Sequence, residues 1–135
     1  MGLLIDSSAL VDFAANRTRL PANLPSGEEF YLSIITADEL LRSVAWSAGK
    51  DRSRRLAFVE AVLDRFPILP IDRATMRMHA EIVSGLERKK QKLGLHQSWI
   101  AATCLAHGLQ LLSTSVEDFA GIHGLQLWEP ENPEA

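Results

Sequence analysis

The stretch Leu3-Leu4-Ile5-Asp6-Ser7-Ser8-Ala9-Leu10-Val11-Asp12-Phe13 opens with three apolar residues that run into an acid. Two hydroxyls follow, and then apolar positions at helical spacing. A continuous apolar run stopped by polar residues suits a strand covered on both faces. Ser7 or Ser8 is placed to cap the next helix, with Ala9, Leu10 and Phe13 on its inner side. Asp6 then stands at the carboxyl end of a central strand, where open α/β sheets bind ligands. Its plainer role is to help the serines cap the helix.

Working outward, Phe30 to Ile35 reads as a second strand, rich in aromatic and β-branched residues, after a Pro- and Gly-bearing loop at 20–27. Thr36-Ala37-Asp38-Glu39 has the pattern of a capping box, which would bind the Glu39 carboxylate to a backbone amide. Ala37, Leu40, Leu41, Val44 and Ala48 form an apolar helical face. Gly49 should end that helix, and Asp51 should start another through Leu56, Val59, Leu63 and Phe66. Pro67-Ile68-Leu69-Pro70-Ile71 is a short strand whose prolines favour a sheet edge. Asp72 should cap a long helix that turns Met78, Ile82 and Leu86 inward and ends in Arg88-Lys89-Lys90-Gln91-Lys92. Basic residues there suit the helix dipole.

Leu95 to His107 reads as a helix with Ile100, Ala101, Cys104 and Leu105 buried, closed by Gly108 in a left-handed cap. Leu109 to Leu112 is a strand, 113–119 a turn, and Leu125 to Trp128 a last edge strand. The alternation implies an α/β fold: a mostly parallel sheet of four to five strands with helices on both faces. Residues 1–128 form one domain in this reading, and 129–135 an acidic, disordered tail. Trp46, Trp99 and Trp128 are assigned to core or oligomer contacts.

At 135 residues the chain can bury a real core. Its single cysteine, Cys104, leaves no internal disulfide pair and suits a reducing cytoplasm. No signal-peptide pattern precedes the first strand, and no apolar run approaches a membrane span. A cytoplasmic, membrane-free protein is therefore expected. The net charge of −3 provides no general attraction to nucleic acid, but it is unevenly distributed. Residues 1–92 hold all 14 Lys and Arg against 12 acids; residues 93–135 hold 5 acids and no Lys or Arg. That asymmetry is compatible with an acidic metal pocket facing a basic rim.

Four ordered segments, LLIDSSALVDF (3–13), LSIITADELLRSV (32–44), LGLHQSWIAATCLAHGLQLLS (93–113) and TSVEDFAGIHGLQLW (114–128), resemble the PIN-domain family, specifically its VapC-type toxins of toxin–antitoxin pairs. The resemblance implies a PIN-like α/β/α sandwich. It also implies an Mg²⁺- or Mn²⁺-dependent endoribonuclease that cleaves single-stranded RNA by metal-activated water. A homodimer, a cognate VapB-like antitoxin and an RNA substrate are the implied partners. The family's first acidic position falls on Asp6 and its second on Glu39, both implied metal donors; Asp118 matches an acidic residue that many relatives carry before the Phe and joins them as a candidate catalytic residue. Where relatives carry Asp before the Ile-Ala-Ala helix this chain has Gln97. Where they carry Asn or Asp after the fourth strand it has Ser115, and Thr114 stands where Arg is common. Gln97 offers one neutral carbonyl oxygen and no charge, so the resemblance implies a weakened site. His96 is read as a helix-start residue. A catalytically degenerate PIN domain that keeps antitoxin or RNA binding is the alternative. A phospho-accepting receiver domain is a third reading, against which stands the lack of any Lys after Lys92.

Overall fold

A computed structural model describes the backbone of residues 2–15 and 29–128, and the side chains of these residues except 12–15. The expected loop at 20–27, the inward position of Phe13 and the acidic tail at 129–135 lie outside the described residues.

The chain runs β1 (Gly2–Ile5), α1 (Ser7–Ala15), β2 (Glu29–Ser33), α2 (Ile34–Ala45), α3 (Gly49–Arg65), β3 (Ile68–Leu69), α4 (Arg73–Arg88), α5 (Leu95–His107) and β4 (Gln110–Leu112), followed by a 3₁₀ turn at Val116–Phe119. The four strands pair in the order β3-β2-β1-β4, all parallel. β3 takes the sheet edge, as Pro67 and Pro70 require, since neither can donate to a ladder. The expected fifth strand, Leu125 to Trp128, reduces to a single parallel bridge from Leu127 to Leu111. Gly121 and Gly124, both at positive φ, turn the chain so sharply before it that little extended length remains.

Strand alternation divides the core between the two sheet faces. Ile5, Leu32 and Leu112 turn to one side and pack with Ala9, Leu10, Leu40, Val44, Val59, Val62 and Phe66 of α1, α2 and α3. Leu4 and Leu111 turn to the other, against Ile100, Ala101 and Cys104 of α5 and Phe119. Neither side of β1 meets solvent: Leu4 and Ile5 are fully buried. The apolar run quoted first is that of a central parallel strand.

Several helix starts differ from the sequence reading. Asp6, not Ser7 or Ser8, caps α1: its Oδ1 accepts the Ala9 amide at 3.0 Å and the Ser8 hydroxyl at 2.7 Å. Ser33 caps α2 by accepting the Thr36 amide at 3.0 Å, so the helix begins one turn earlier than a Thr36 cap predicts. Thr36 is fully buried inside the first turn, and Glu39 falls in the second turn, out of reach of the cap amides. The capping-box role expected for Glu39 is therefore absent. Ser33 takes the cap because Thr36 is drawn into the fully buried first turn, where its own amide donates to Ser33 Oγ. Gly49 does not end α2, which stops at Ala45 with Trp46 as its cap residue; Gly49 instead opens α3 after Ala48, and Asp51 lies in the first turn, where its charge faces the positive helix end. Leu41, Leu56 and Ala48, assigned to apolar faces, are exposed. Trp46 is 85% exposed, whereas Trp99 stacks on His79 at 3.6 Å and Trp128 packs on the core. The remaining landmarks hold: Asp72 caps α4 through the Thr75 amide, α5 spans Leu95–His107, and Gly108 adopts the left-handed conformation.

Candidate functional site

The strand order makes β1 the point where the sheet changes direction. The chain proceeds outward from β1 through β2 to β3, then crosses back to add β4 on the other side. Loops leaving β1 and β4 diverge there and open a crevice at their carboxyl ends. Asp6 and the 113–115 segment are the residues at that position. The Asp6 amide donates to the Leu112 carbonyl at 3.1 Å, which holds the two strand ends together. Ser8 and Ser113 hydroxyls meet at 3.2 Å, and the Thr114 amide donates to Ser8 Oγ.

A cavity of about 540 Å³ opens over this edge. Its walls include Asp6, Glu39, Gln97, Ser115 and Asp118, so every site residue named from the sequence reaches the same cleft. α2 and its cap residue contribute Glu39, Arg42, Ser43 and Trp46, which lie at i, i+3, i+4 and i+7 and thus along one side. α5 presents His96 and Gln97 from its first turn. A neighbouring cavity of about 590 Å³ shares Gly94, Gln97 and Asp118 with the first, so these three form the divide. The Gln97 amide lies across Gly94, in space that a Cβ at 94 would fill.

The individual environments differ. Asp6 is 4% exposed, and among the described residues its Oδ2 has no hydrogen-bond partner. The Glu39 Oε1 is in hydrogen-bond contact with His96 Nδ1, and both side chains are partly exposed. Asp118 is exposed at the mouth. Arg42 pairs with Asp38 at 2.9 Å on the outer rim. Cys104 lies beneath the sheet edge; burial and the Asp6 charge push its thiol far above the ordinary range, so it is no nucleophile.

His96, read from the sequence as a helix-start residue, does lie in the first turn of α5, but its contact with Glu39 was not foreseen. Its contact with Glu39 spans 57 positions and joins two helices, a relation no local pattern encodes. The stripe Glu39, Arg42, Trp46 was legible as helical spacing, but its exposure was not.

The chemistry of the donors can be compared with what a hard divalent ion needs. Mg²⁺ is commonly bound through one or two carboxylates, with water and substrate phosphate completing an octahedron. Asp6 and Glu39 on the walls of one water-accessible cavity fit that requirement. Among the described residues no three His, Cys, Asp or Glu side chains are grouped so that they could hold a metal ion, so any ion here would rest on two carboxylates at most.

Comparison with known proteins agrees with this architecture. The model of the PIN domain family matches residues 3–125. Ribonuclease VapC1 of Rickettsia felis is 34% identical over 128 residues, covering 94% of this chain and 95% of that protein. Among solved structures, VapBC-5 of Mycobacterium tuberculosis, from the VapBC family of toxin-antitoxin systems, superposes with a TM-score of 0.74 at 28% identity, over 93% of this chain and 92% of that one. VapBC-1 from nontypeable Haemophilus influenzae gives a TM-score of 0.83 at 20% identity, over 96% and 98% of the two chains. The fold, the crevice at the strand switch and these matches make the chain a member of the PIN-domain family, among its VapC-type proteins.

Proposed function

We propose that this protein is a VapC-like ribonuclease toxin that cleaves single-stranded RNA with a divalent ion, Mg²⁺ or Mn²⁺, held by Asp6 and Glu39. The observation that carries the reading is the convergence of Asp6, Glu39 and Asp118 on one cleft at the switch point of the sheet. The relative named Ribonuclease VapC1 supports the reaction class. When bound, the ion supplies Lewis-acid polarisation of the scissile phosphate and acidifies a water. The chain's own residues do the rest. Asp6 is immobilised by its two hydrogen bonds, so its Oδ2 keeps one direction. Glu39 is oriented by His96. Asp118, exposed and lining the same cleft, would accept a proton from the attacking water. Gln97 and Ser115 contribute neutral oxygens only, which leaves the site two donors weaker than a four-acid site.

A cytoplasmic VapB-like antitoxin is the proposed partner, in keeping with VapBC-5, a member of the VapBC family of toxin-antitoxin systems. An Arg from its inserted segment would pair bidentately with the carboxylates and fill the ion's space. Trp46 and Leu95, 85% and 68% exposed beside the cavity, supply apolar contact for such a segment. Val11, Ile34 and Leu41, exposed on the first two helices, supply surface for the proposed homodimer. No helix among the described residues is long and apolar enough to cross a membrane.

Gln97 supports a second reading, in which the domain binds antitoxin or RNA without turnover. A fluorogenic single-stranded RNA assay with Mg²⁺ or Mn²⁺, on wild type and Asp6→Ala, separates the two. Cleavage lost on Asp6→Ala establishes the nuclease. RNA binding without cleavage, by a wild type that binds antitoxin, establishes the degenerate form.

A further inference from the structure

We infer that the basic end of α4, with Lys89, Lys90 and Lys92, grips the phosphates of single-stranded RNA where the strand leaves the cleft through the neighbouring cavity, and that an unpaired base sits in that cavity. The inference rests on the reading of the cleft as an RNA site and deepens it by naming the residues that position the strand.

The cations stand in the right place and are uncommitted. Lys92 is the last Lys or Arg in the sequence, so α5 and the 113–119 segment bring none to the cleft. Of the two Lys and Arg side chains that line the two cavities, Arg42 is engaged by Asp38 at 2.9 Å, whereas Lys92 has no ion pair among the described residues. Arg88, Lys89 and Lys90 precede it, exposed and likewise without an ion pair among the described residues. Basic residues at a helix carboxyl end ordinarily serve its last carbonyls and its dipole. Here main-chain amides already take those carbonyls: Gln91 donates to Leu86 at 2.8 Å, Lys90 to Glu87 at 3.0 Å and Lys89 to Gly85 at 3.3 Å. That closure puts Lys90 at φ +56°, in the left-handed region where glycine is the usual residue because it carries no Cβ. A lysine thus occupies a position at which local stability favours glycine, on a turn fixed by hydrogen bonds. The cavity beside it, about 590 Å³, joins the cleft at Gly94, Gln97 and Asp118. Besides Lys92 it is lined by apolar Leu86 and Ile122, the Gln91 amide and the Glu117 carboxylate. A carboxylate repels phosphate but accepts from the amino group of a base. A nucleotide therefore fits with its base among these residues and its phosphates on the exposed lysines. Single strands leave their bases free for such contact.

The rival role for the lysines is to stabilise the helix end alone, and salt dependence separates the two. Binding of a fluorescein-labelled single-stranded RNA of mixed sequence would be followed by anisotropy against salt, in chelator so that nothing is cleaved. The full-length wild type would be compared with Lys90→Gly, Lys92→Gln and the double variant. Arg54→Gln with Arg55→Gln, both exposed on α3 and lining neither cavity, is the control of equal charge. Each phosphate contact to a single strand contributes about 0.7 to the slope of log affinity against log salt. The double variant should lose about 1.4 from that slope and bind more than about tenfold more weakly at about 50 mM salt, with a far smaller change in the control. Lys90→Gly should keep or raise the urea midpoint, so that its lost affinity is not lost fold. A double variant with the wild-type slope, or a control that loses as much, overturns the inference; the nuclease reading still stands if wild type cleaves RNA and Asp6→Ala does not. A poly-glutamate peptide that binds as tightly as RNA, and is lost in the same variants, assigns the lysines to an acidic protein segment and overturns the RNA assignment. No RNA binding by wild type overturns the inference, and no cleavage with Mg²⁺ or Mn²⁺ besides overturns the nuclease reading with it.

Discussion

Substituting Asp6 by Asn and by Ala should separate two roles that one side chain performs. Asp6 Oδ1 accepts the Ala9 amide and the Ser8 hydroxyl, and the residue is 4% exposed. Asp6→Ala removes the cap and strands a buried amide. Loss of an N-cap costs about 0.5–2 kcal/mol and an unsatisfied buried donor about 1–3 kcal/mol. These overlap, so about 2 kcal/mol is expected, or roughly 7 °C in Tm for a chain of this length. Asn caps as well as Asp, so Asp6→Asn should stay within about 0.5 kcal/mol of wild type in urea unfolding. Both variants, however, lose the charge. At 4 Å and an effective dielectric of about 20, a unit charge and a divalent ion interact by about 8 kcal/mol before desolvation. Even a fraction of that weakens Mn²⁺ binding by at least about a hundredfold. Urea midpoints and calorimetric Mn²⁺ titration read the two effects separately. An Asn variant as unstable as the Ala variant would refute the cap. An Asn variant with undiminished metal affinity would refute the donor role.

Gln97→Asp should strengthen Mn²⁺ binding and raise RNA cleavage, with Ser115→Asn adding to both. Without metal the same change gathers like charges, so Tm should drop in chelator and recover with Mn²⁺. His79 offers a pH test: burial lowers its pKa below the ordinary imidazole value. The folded state then binds fewer protons there than the unfolded chain. This contribution is present above about pH 6.5 and lost as pH falls toward the lower folded value. Wild type should therefore lose more stability than His79→Gln between pH 7.5 and 5.5, measured by urea midpoints; equal losses would sink this account. Cys104, buried and with its thiol pushed far up, should resist alkylation in the native protein and react only once urea unfolds it. Modification at the native rate of an exposed thiol would contradict its placement.

Much of this protein follows from local chemistry. Leu3-Leu4-Ile5 reads as a central parallel strand because burial on both faces leaves no polar position to alternate. α5 was legible end to end, since Gly108 in the left-handed region stops a helix for a purely backbone reason. Asp72 and the edge placement of Ile68–Leu69 follow likewise from a cap and two prolines. The family resemblance, not periodicity, singled out Glu39, Gln97, Ser115 and Asp118 before any of them had a place in space.

Tertiary structure decided what depends on distant partners. Two hydroxyls, Ser33 and Thr36, could each begin α2, and their local energies are similar. Burial of Thr36 settles the choice and moves Glu39 from the cap to the cleft. Leu41 and Leu56 fit an apolar helical stripe yet face solvent, because periodicity marks a face without saying what covers it. The contact of His96 with Glu39 requires α5 to cross beside α2, and that follows from β4 adding next to β1. Local propensity acts over a few residues; the site is assembled from segments more than a hundred residues apart, and only the packed sheet brings them together.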